Sequence, residues 1–233
     1  MARRPRRDSA RLSQRGPEPV NEKGAVGRAP AALAYHGRMS NYLASAAYKL
    51  AAHLPRQLPA DGGREVAFAG RSNAGKSSAL NAMCNQNRLA RTSKTPGRTQ
   101  QLVYFEVAKD KYLVDLPGYG YAKVPAELRA HWQQFINGYF QTREALKGLV
   151  VVMDVRHPLR EFDQSMLDFA RARGLPAHCL LTKADKLSRG AAAGTLQTVK
   201  RDLGEIASVQ LFSAETRQGI DEARAVVTGW LQG

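Results

Sequence analysis

Cysteine is scarce in this sequence: Cys84 and Cys179 are the only two among 233 residues. Two thiols so far apart in sequence exclude a disulfide framework and a cysteine-held metal cluster, and they fit a reducing cytosol. Long apolar runs are lacking too. The longest, residues 149–153, falls far short of the ~18 residues that a membrane span needs, so the expectation is a soluble, cytoplasmic protein with no membrane partner. The basic start MARRPRR is followed by polar, proline-rich sequence instead of the apolar segment of a signal peptide. Acids are the third shortage. Twenty Asp and Glu against thirty-five Lys and Arg leave a net charge of +15, a surplus that attracts polyanions, RNA first among them. There is no internal repeat.

Residues 1–38 hold nine Arg or Lys, three acids and four prolines, with almost no large apolar side chains. Such a composition cannot offset the entropy of ordering, so a disordered basic tail is expected. It either touches RNA or has no role, and a translation start at Met39 is a third alternative. The folded domain is expected over 39–233. The spacing of Leu43, Ala47, Leu50 and Leu54 predicts a short leading helix over 40–54, capped by Ser40 or Asn41 and ended by Pro55 and Pro59. The core of the domain follows from about residue 64.

From there strand and helix patterns alternate. Strands are predicted at 65–69, 148–154, 177–182 and 208–212, each followed by a helix, at 76–85, 161–173, 189–202 and 220–231. LVYFEV (102–107) and KYLVDL (111–116) read as a hairpin, and a further helix fits 126–143. The expected fold class is therefore α/β: a mostly parallel six-stranded sheet with one antiparallel edge strand from the hairpin, and helices on both faces.

Directly after the first strand of that alternation stands Gly70-Arg71-Ser72-Asn73-Ala74-Gly75-Lys76-Ser77, with Ser78 next, a full G-x-x-x-x-G-K-[ST] phosphate loop in its confirming strand-to-helix setting. Its glycines let backbone N–H groups converge on phosphate oxygens at a helix N-terminus. Lys76 neutralises the β and γ phosphates, and Ser77 offers a hydroxyl to Mg2+. Thr182-Lys183-Ala184-Asp185 ends a later strand and selects the base. A carboxylate accepts hydrogen bonds only, so Asp185 pairs with guanine's N1–H and 2-amino group, whereas adenine offers an acceptor there. Asp115-Leu116-Pro117-Gly118 supplies a carboxylate for a magnesium-bound water, and an amide that can reach a γ-phosphate only while that phosphate exists. Upstream, Thr95-Pro96-Gly97-Arg98-Thr99 supplies a hydroxyl, Thr99 being favoured over Thr95, to complete the metal shell in the triphosphate state, and Gly97, Arg98, Gln100 and Gln101 are further candidate nucleotide-binding residues. Phe212-Ser213-Ala214 follows the last strand, where the Ala214 amide meets guanine O6. Lys76, Thr99, Asp115 and Gly118 are the candidate catalytic residues. A mere glycine-rich turn, and a loop aspartate capping a helix, are the plain alternatives.

GRSNAGKSSALNAM, TSKTPGRTQ, VDLPGYGYAKV, MDVRHPL, LLTKADKL and FSAET, in this order, resemble the EngB (YihA/YsxC) family of ribosome-biogenesis GTPases, within the TrmE-Era-EngA-EngB-septin-like P-loop class. The resemblance spans about residues 65–230. It implies a magnesium-dependent GTPase that hydrolyses GTP to GDP, with Ser77 and Thr99 as metal ligands. It further implies a monomer that partners the large ribosomal subunit or its precursor, rRNA and ribosomal proteins included, and is needed for growth or division. Many signalling GTPases carry a glutamine after the D-x-x-G motif to orient water, and here Tyr119 stands in its place, so slow intrinsic hydrolysis is expected. In related GTPases an asparagine at the position of Asn73 binds K+; the alternative is that Asn73 only shapes the loop. Tyr119 and Tyr121, among glycines, either dock a partner or pack on the next helix. The rivals are an ATPase or nucleotide kinase, against which Asp185 speaks, and an RNA-binding assembly protein whose nucleotide site is mainly structural.

Overall fold

The computed structural model of the chain describes residues 41–90, 101–118 and 126–233, and between 126 and 133 the backbone only. The basic tail lies outside these residues, as do Gly97, Arg98, Thr99, Gln100, Tyr119 and Tyr121. In chain order the elements are β1 (Ala47–Ala52), β2 (Arg64–Gly70), α1 (Lys76–Met83), β3 (Leu102–Ala108), β4 (Lys111–Asp115), α2 (Ala126–Thr142), β5 (Leu146–Asp154), α3 (Glu161–Ala172), β6 (Ala177–Thr182), α4 (Arg189–Leu203), β7 (Ser208–Leu211) and α5 (Ile220–Gln232). The strands form one sheet in the order β1-β3-β4-β2-β5-β6-β7. Neighbours from β4 to β7 pair in parallel, and β3 alone runs against both of its neighbours.

The α/β class is as expected, but the sheet has seven strands rather than six, and its antiparallel strand lies inside the sheet rather than at the edge. The extra strand comes from the segment for which the spacing predicts a helix. Only a 3-10 turn forms there, Tyr42–Ser45, with Asn41 Oδ1 accepting the Leu43 N–H at 3.1 Å. Residues 47–52 then pair with β3 along its open edge. Two effects override the helical pattern. The backbone groups on that side of β3 gain a ladder partner. In addition, the Ala44 and Ala46 carbonyls, which a helix would consume, accept the Gln86 side-chain amide at 3.0 and 2.7 Å.

Central strands read as near-continuous apolar runs because both of their faces are covered, as β2 illustrates, with every residue after Arg64 buried. On one face α2, α3 and α4 bring Ile136, Tyr139, Phe140, Met166 and Leu203 onto Ala67, Leu149 and Val151. On the other, α1 and α5 bring Leu80, Met83, Val227 and Leu231 onto Phe68, Val150 and Leu180. Among the described residues, no helix is long and apolar enough to cross a membrane.

At the entry end of β2 a charged pair is buried within this packing. The Glu65 side chain is fully buried and that of Arg143, just past α2, is 6 % exposed. Glu65 Oε1 accepts from Arg143 Nε at 3.0 Å and from its Nη2, while Oε2 accepts the Tyr139 hydroxyl at 2.8 Å and that of Tyr104 at 3.3 Å. Burial, then the Glu65 charge, pushes both phenols above their ordinary range, so they remain donors. Arg173 closes the same end of α2 by donating to the Phe140 and Arg143 carbonyls at 2.7 and 2.9 Å. Removing one partner strands the other charge, so Arg143→Met is expected to cost about 3–5 kcal/mol in urea unfolding, and adding Glu65→Met to recover most of that loss.

Candidate nucleotide site

Parallel α/β sheets place ligands beyond the carboxyl ends of their strands, and here the loops after β2, β4, β6 and β7 carry the candidate residues to that one edge. The loop from Gly70 to α1 turns through positive φ twice, at Asn73 (60°) and Gly75 (96°). The Ala74 N–H bonds back to the Arg71 carbonyl at 3.1 Å. Such turns aim successive N–H groups inward as an anion nest, and Gly75 caps α1 without a side chain, leaving the helix end open to an anion. Ser77 lies half-buried in the first turn of α1, with Ser78 exposed beside it.

Lys76, which begins α1, forms an ion pair with Asp115 at the end of β4, their side chains 10 % and 15 % exposed. Leu116 is buried and its N–H bonds to the Phe68 carbonyl at 3.0 Å, which carries the chain across β2 through half-buried Pro117 to Gly118. A Cβ on Gly118 would stand 3.3 Å from both Cα and N of Ser72, a tight contact that a larger residue could make only if the phosphate loop gave way by a few tenths of an ångström. Gln101, half-buried, leads into β3.

The base-selecting end is tied directly to the phosphate loop. The Thr182 hydroxyl lies between the Ala74 carbonyl and the Met153 carbonyl, 2.9 Å from the latter. Lys183 takes φ 58°, which turns its ammonium onto the Asn73 carbonyl at 2.6 Å and Asp154 Oδ2 at 2.9 Å. Arg156, and after it Lys183, holds the Asp154 carboxyl well below the usual carboxylate range. Ala184 opens a 3-10 turn, its N–H on the Phe212 carbonyl at 3.1 Å. Asp185 follows. Ser213, fully buried, donates its hydroxyl to Asp185 Oδ1 at 2.6 Å and accepts the Thr216 N–H at 3.1 Å. Lys186, 2.8 Å from Oδ2, and then Ser213 keep the Asp185 carboxyl below its ordinary value, so it stays an acceptor. Ala214 comes next, half-buried.

The structure thus gathers the phosphate loop, the Asp115–Gly118 segment, the Thr182–Asp185 turn and Phe212–Ala214 along one edge of the sheet. Asp154, which holds Lys183, belongs to the MDVRHPL stretch, but that motif does not reveal its partner. It is visible as a partner only once the strand order places β5 between β2 and β6. The donor set suits Mg2+, since a hydroxyl and a carboxylate flank a phosphate nest and that ion keeps most of its shell as water and phosphate oxygens. Among the described residues, no group of three or more histidine, cysteine or acidic side chains could hold a metal ion.

Comparison with known proteins gives concordant results. Residues 65–183 match the family described as 50S ribosome-binding GTPase. A probable GTP-binding protein EngB of Xanthomonas campestris pv. campestris (strain 8004) is 65 % identical over 197 residues, covering 83 % of this chain and 95 % of that protein. Another, of Stenotrophomonas maltophilia (strain K279a), is 66 % identical over 197 residues, covering 83 % and 98 %. Among solved structures, the crystal structure of a probable GTP-binding protein engB superposes with a TM-score of 0.58 at 21 % identity, over 72 % of this chain and 98 % of that one. A bacterial selenocysteine-specific elongation factor follows at 0.50 and 18 %, over 73 % and 29 %. At these identities the structural likenesses speak to the fold.

Thr182→Val keeps the shape and removes the shared hydroxyl. It is expected to lower stability by about 1–3 kcal/mol in urea unfolding and to quicken amide hydrogen exchange at Ala74 and Gly75.

Proposed function

The chain belongs to the EngB family of GTP-binding proteins and carries a GTPase domain, and from that premise we propose that it is a magnesium-dependent switch in assembly of the large ribosomal subunit. GTP hydrolysis to GDP and phosphate sets its state, and the protein is needed for normal growth or division. It works as a monomer in the cytoplasm. The observation that supports this reading is that the Thr182–Asp185 turn, one short stretch of chain, bonds to the phosphate loop through Thr182 and Lys183 and to Ser213 through Asp185, which would hold a guanine reader and a phosphate cradle in one frame.

Each residue's role follows from its chemistry. Backbone N–H groups of 71–77 and the Lys76 ammonium bind and neutralise phosphate oxygens, while Asp185 receives guanine's N1–H and 2-amino group. The Ala214 amide faces guanine O6. The metal site falls to the Ser77 and Thr99 hydroxyls, with Asp115 reached through water; the ion, when bound, spreads the charge that develops on the phosphates. Gly118 places its backbone where a γ-phosphate can be sensed, and with no glutamine after it intrinsic hydrolysis is slow. The potassium ion implied by the resemblance would lie beside the exposed Asn73 side chain, and faster turnover in potassium than in sodium is its test.

A net charge of +15 supports an RNA-rich partner, and the description of the matching family supports the ribosomal one. Sedimentation with large ribosomal subunits at rising salt is expected to show binding that differs between GDP and a non-hydrolysable GTP analogue. Loss of that difference would point instead to a structural nucleotide site, since purely electrostatic attachment fades with salt regardless of nucleotide. For the base, Asp185→Asn is expected to weaken GDP binding by about a hundredfold, as two charge-assisted hydrogen bonds are lost. The same change should strengthen xanthosine diphosphate binding, because an amide N–H can face xanthine's 2-oxo group; calorimetry with both nucleotides checks the pair of shifts.

A further inference from the structure

Beside the phosphate loop lies a recess of about 230 Å³. Its walls are residues 71–74 of the loop, the end of β5 with Arg156 and His157 after it, Lys183, and Asp163 in the first turn of α3, while Lys76, Asp115 and Asp185 do not line it. Asp163 of α3 faces it. This side chain belongs to a residue only 1 % exposed, and its Oδ2 accepts the Arg160 N–H at 3.0 Å. Its Oδ1 has no hydrogen-bond partner, alone among the buried side-chain polar atoms of the described residues. Burial pushes the carboxyl up to about 6, against the pull of the Arg160 N–H and of the Arg71 and Arg160 cations.

An unpaired oxygen in such a place calls for a donor, and most donors nearby are committed. Arg156 grips Asp154 through Nε and Nη2 at 2.9 and 2.6 Å. Lys183 is held by Asp154 and the Asn73 carbonyl. Arg160 Nη2 stands 3.4 Å from His157 Nδ1. Cys179 of β6, on the far side, is pushed up to about 12 by burial and then by Asp163, so it is neutral. Arg71 differs. Its side chain is exposed, it forms no ion pair among the described residues, and its charge is already felt at Asp163. Its carbonyl, meanwhile, closes the loop turn onto the Ala74 N–H.

We propose that Asp163 is a positioning residue for the phosphate loop: the Arg71 guanidinium enters the recess and binds the free Asp163 Oδ1, locking the loop onto α3 when a guanosine di- or triphosphate occupies it. The proposal rests on the nucleotide reading above and adds a residue to it. An arginine at the start of the nest that is held away from the phosphates leaves the inward N–H groups to them, and fixes the turn from behind. Phosphate binding then favours the ionised carboxylate, because the ion pair is what holds the loop closed.

The sign of the pH effect follows. Without the pair, Asp163 takes up a proton as pH falls through about 6; with it, the carboxyl is held lower. Nucleotide binding therefore expels a proton near pH 6, and GDP affinity falls below that pH. The terminal phosphate of GDP titrates in the same window, so the readout is the difference between the wild type and Asp163→Asn. Calorimetry at pH 6 in buffers of different ionisation enthalpy is expected to show roughly half a proton more released by the wild type. Arg71→Met, an exposed substitution, and Asp163→Asn are each expected to weaken GDP binding about tenfold, the double variant no further, with Arg71→Lys recovering most of the loss. Equal proton release in the two proteins, or multiplying losses in the double variant, would overturn the pairing. Wild-type GDP binding persists in that case and leaves the nucleotide reading intact, whereas its absence would end both.

Discussion

One hydroxyl group sets the geometry of the site. Thr182 Oγ1 sits between the carbonyls of Ala74 and Met153, which join the phosphate loop after β2 to the end of β5 from the last residue of β6. Three parallel strands thereby share a junction at the sheet edge where a nucleotide belongs. At this junction the single hydroxyl proton is shared between the two carbonyls, and such a hydrogen bond contributes ~1 kcal/mol net in a buried setting. Lys183 extends it by one residue, and its positive φ matters because an extended backbone would carry the ammonium away from Asn73. The separation of the phosphate loop from Asp185 is thus tied to the packed strands β2, β5 and β6.

The opposite edge of the sheet is held by the buried Glu65–Arg143 pair. Its four hydrogen bonds satisfy a carboxylate that would otherwise be intolerable at full burial, and they fix the end of α2 against β2. Arg173 repeats the restraint from α3. The helix that follows the Gly118 segment therefore has its far end clamped.

Much of this was legible in the sequence because the signals are local. The phosphate loop, the Asp115–Gly118 segment and Thr182–Asp185 each announce themselves by residue type and spacing at a strand end, and the strands between them read as apolar runs. Residues 47–52 were not legible, because alanine-rich sequence at helical spacing carries no record of the open β3 edge that recruits it. Ser213 was placed by its position after the last strand, yet its bond to Asp185 depends on β6 and β7 being neighbours. Asp163 was silent for the same reason, and MDVRHPL marked Asp154 without showing its partner Lys183. Their partners are set by the strand order β2-β5-β6, which no short pattern encodes.

The Lys76–Asp115 ion pair links this frame to chemistry through charge balance. Both side chains are mostly buried, and each is the other's counter-charge. On the proposed reading, phosphates that draw Lys76 away would leave Asp115 uncompensated where an unpaired carboxylate is costly, and a hard divalent cation at the Ser77 hydroxyl would offset that loss. Asp115 stands three residues before Gly118, whose backbone lies against Ser72, so a short stretch of chain joins the ion pair to the phosphate loop.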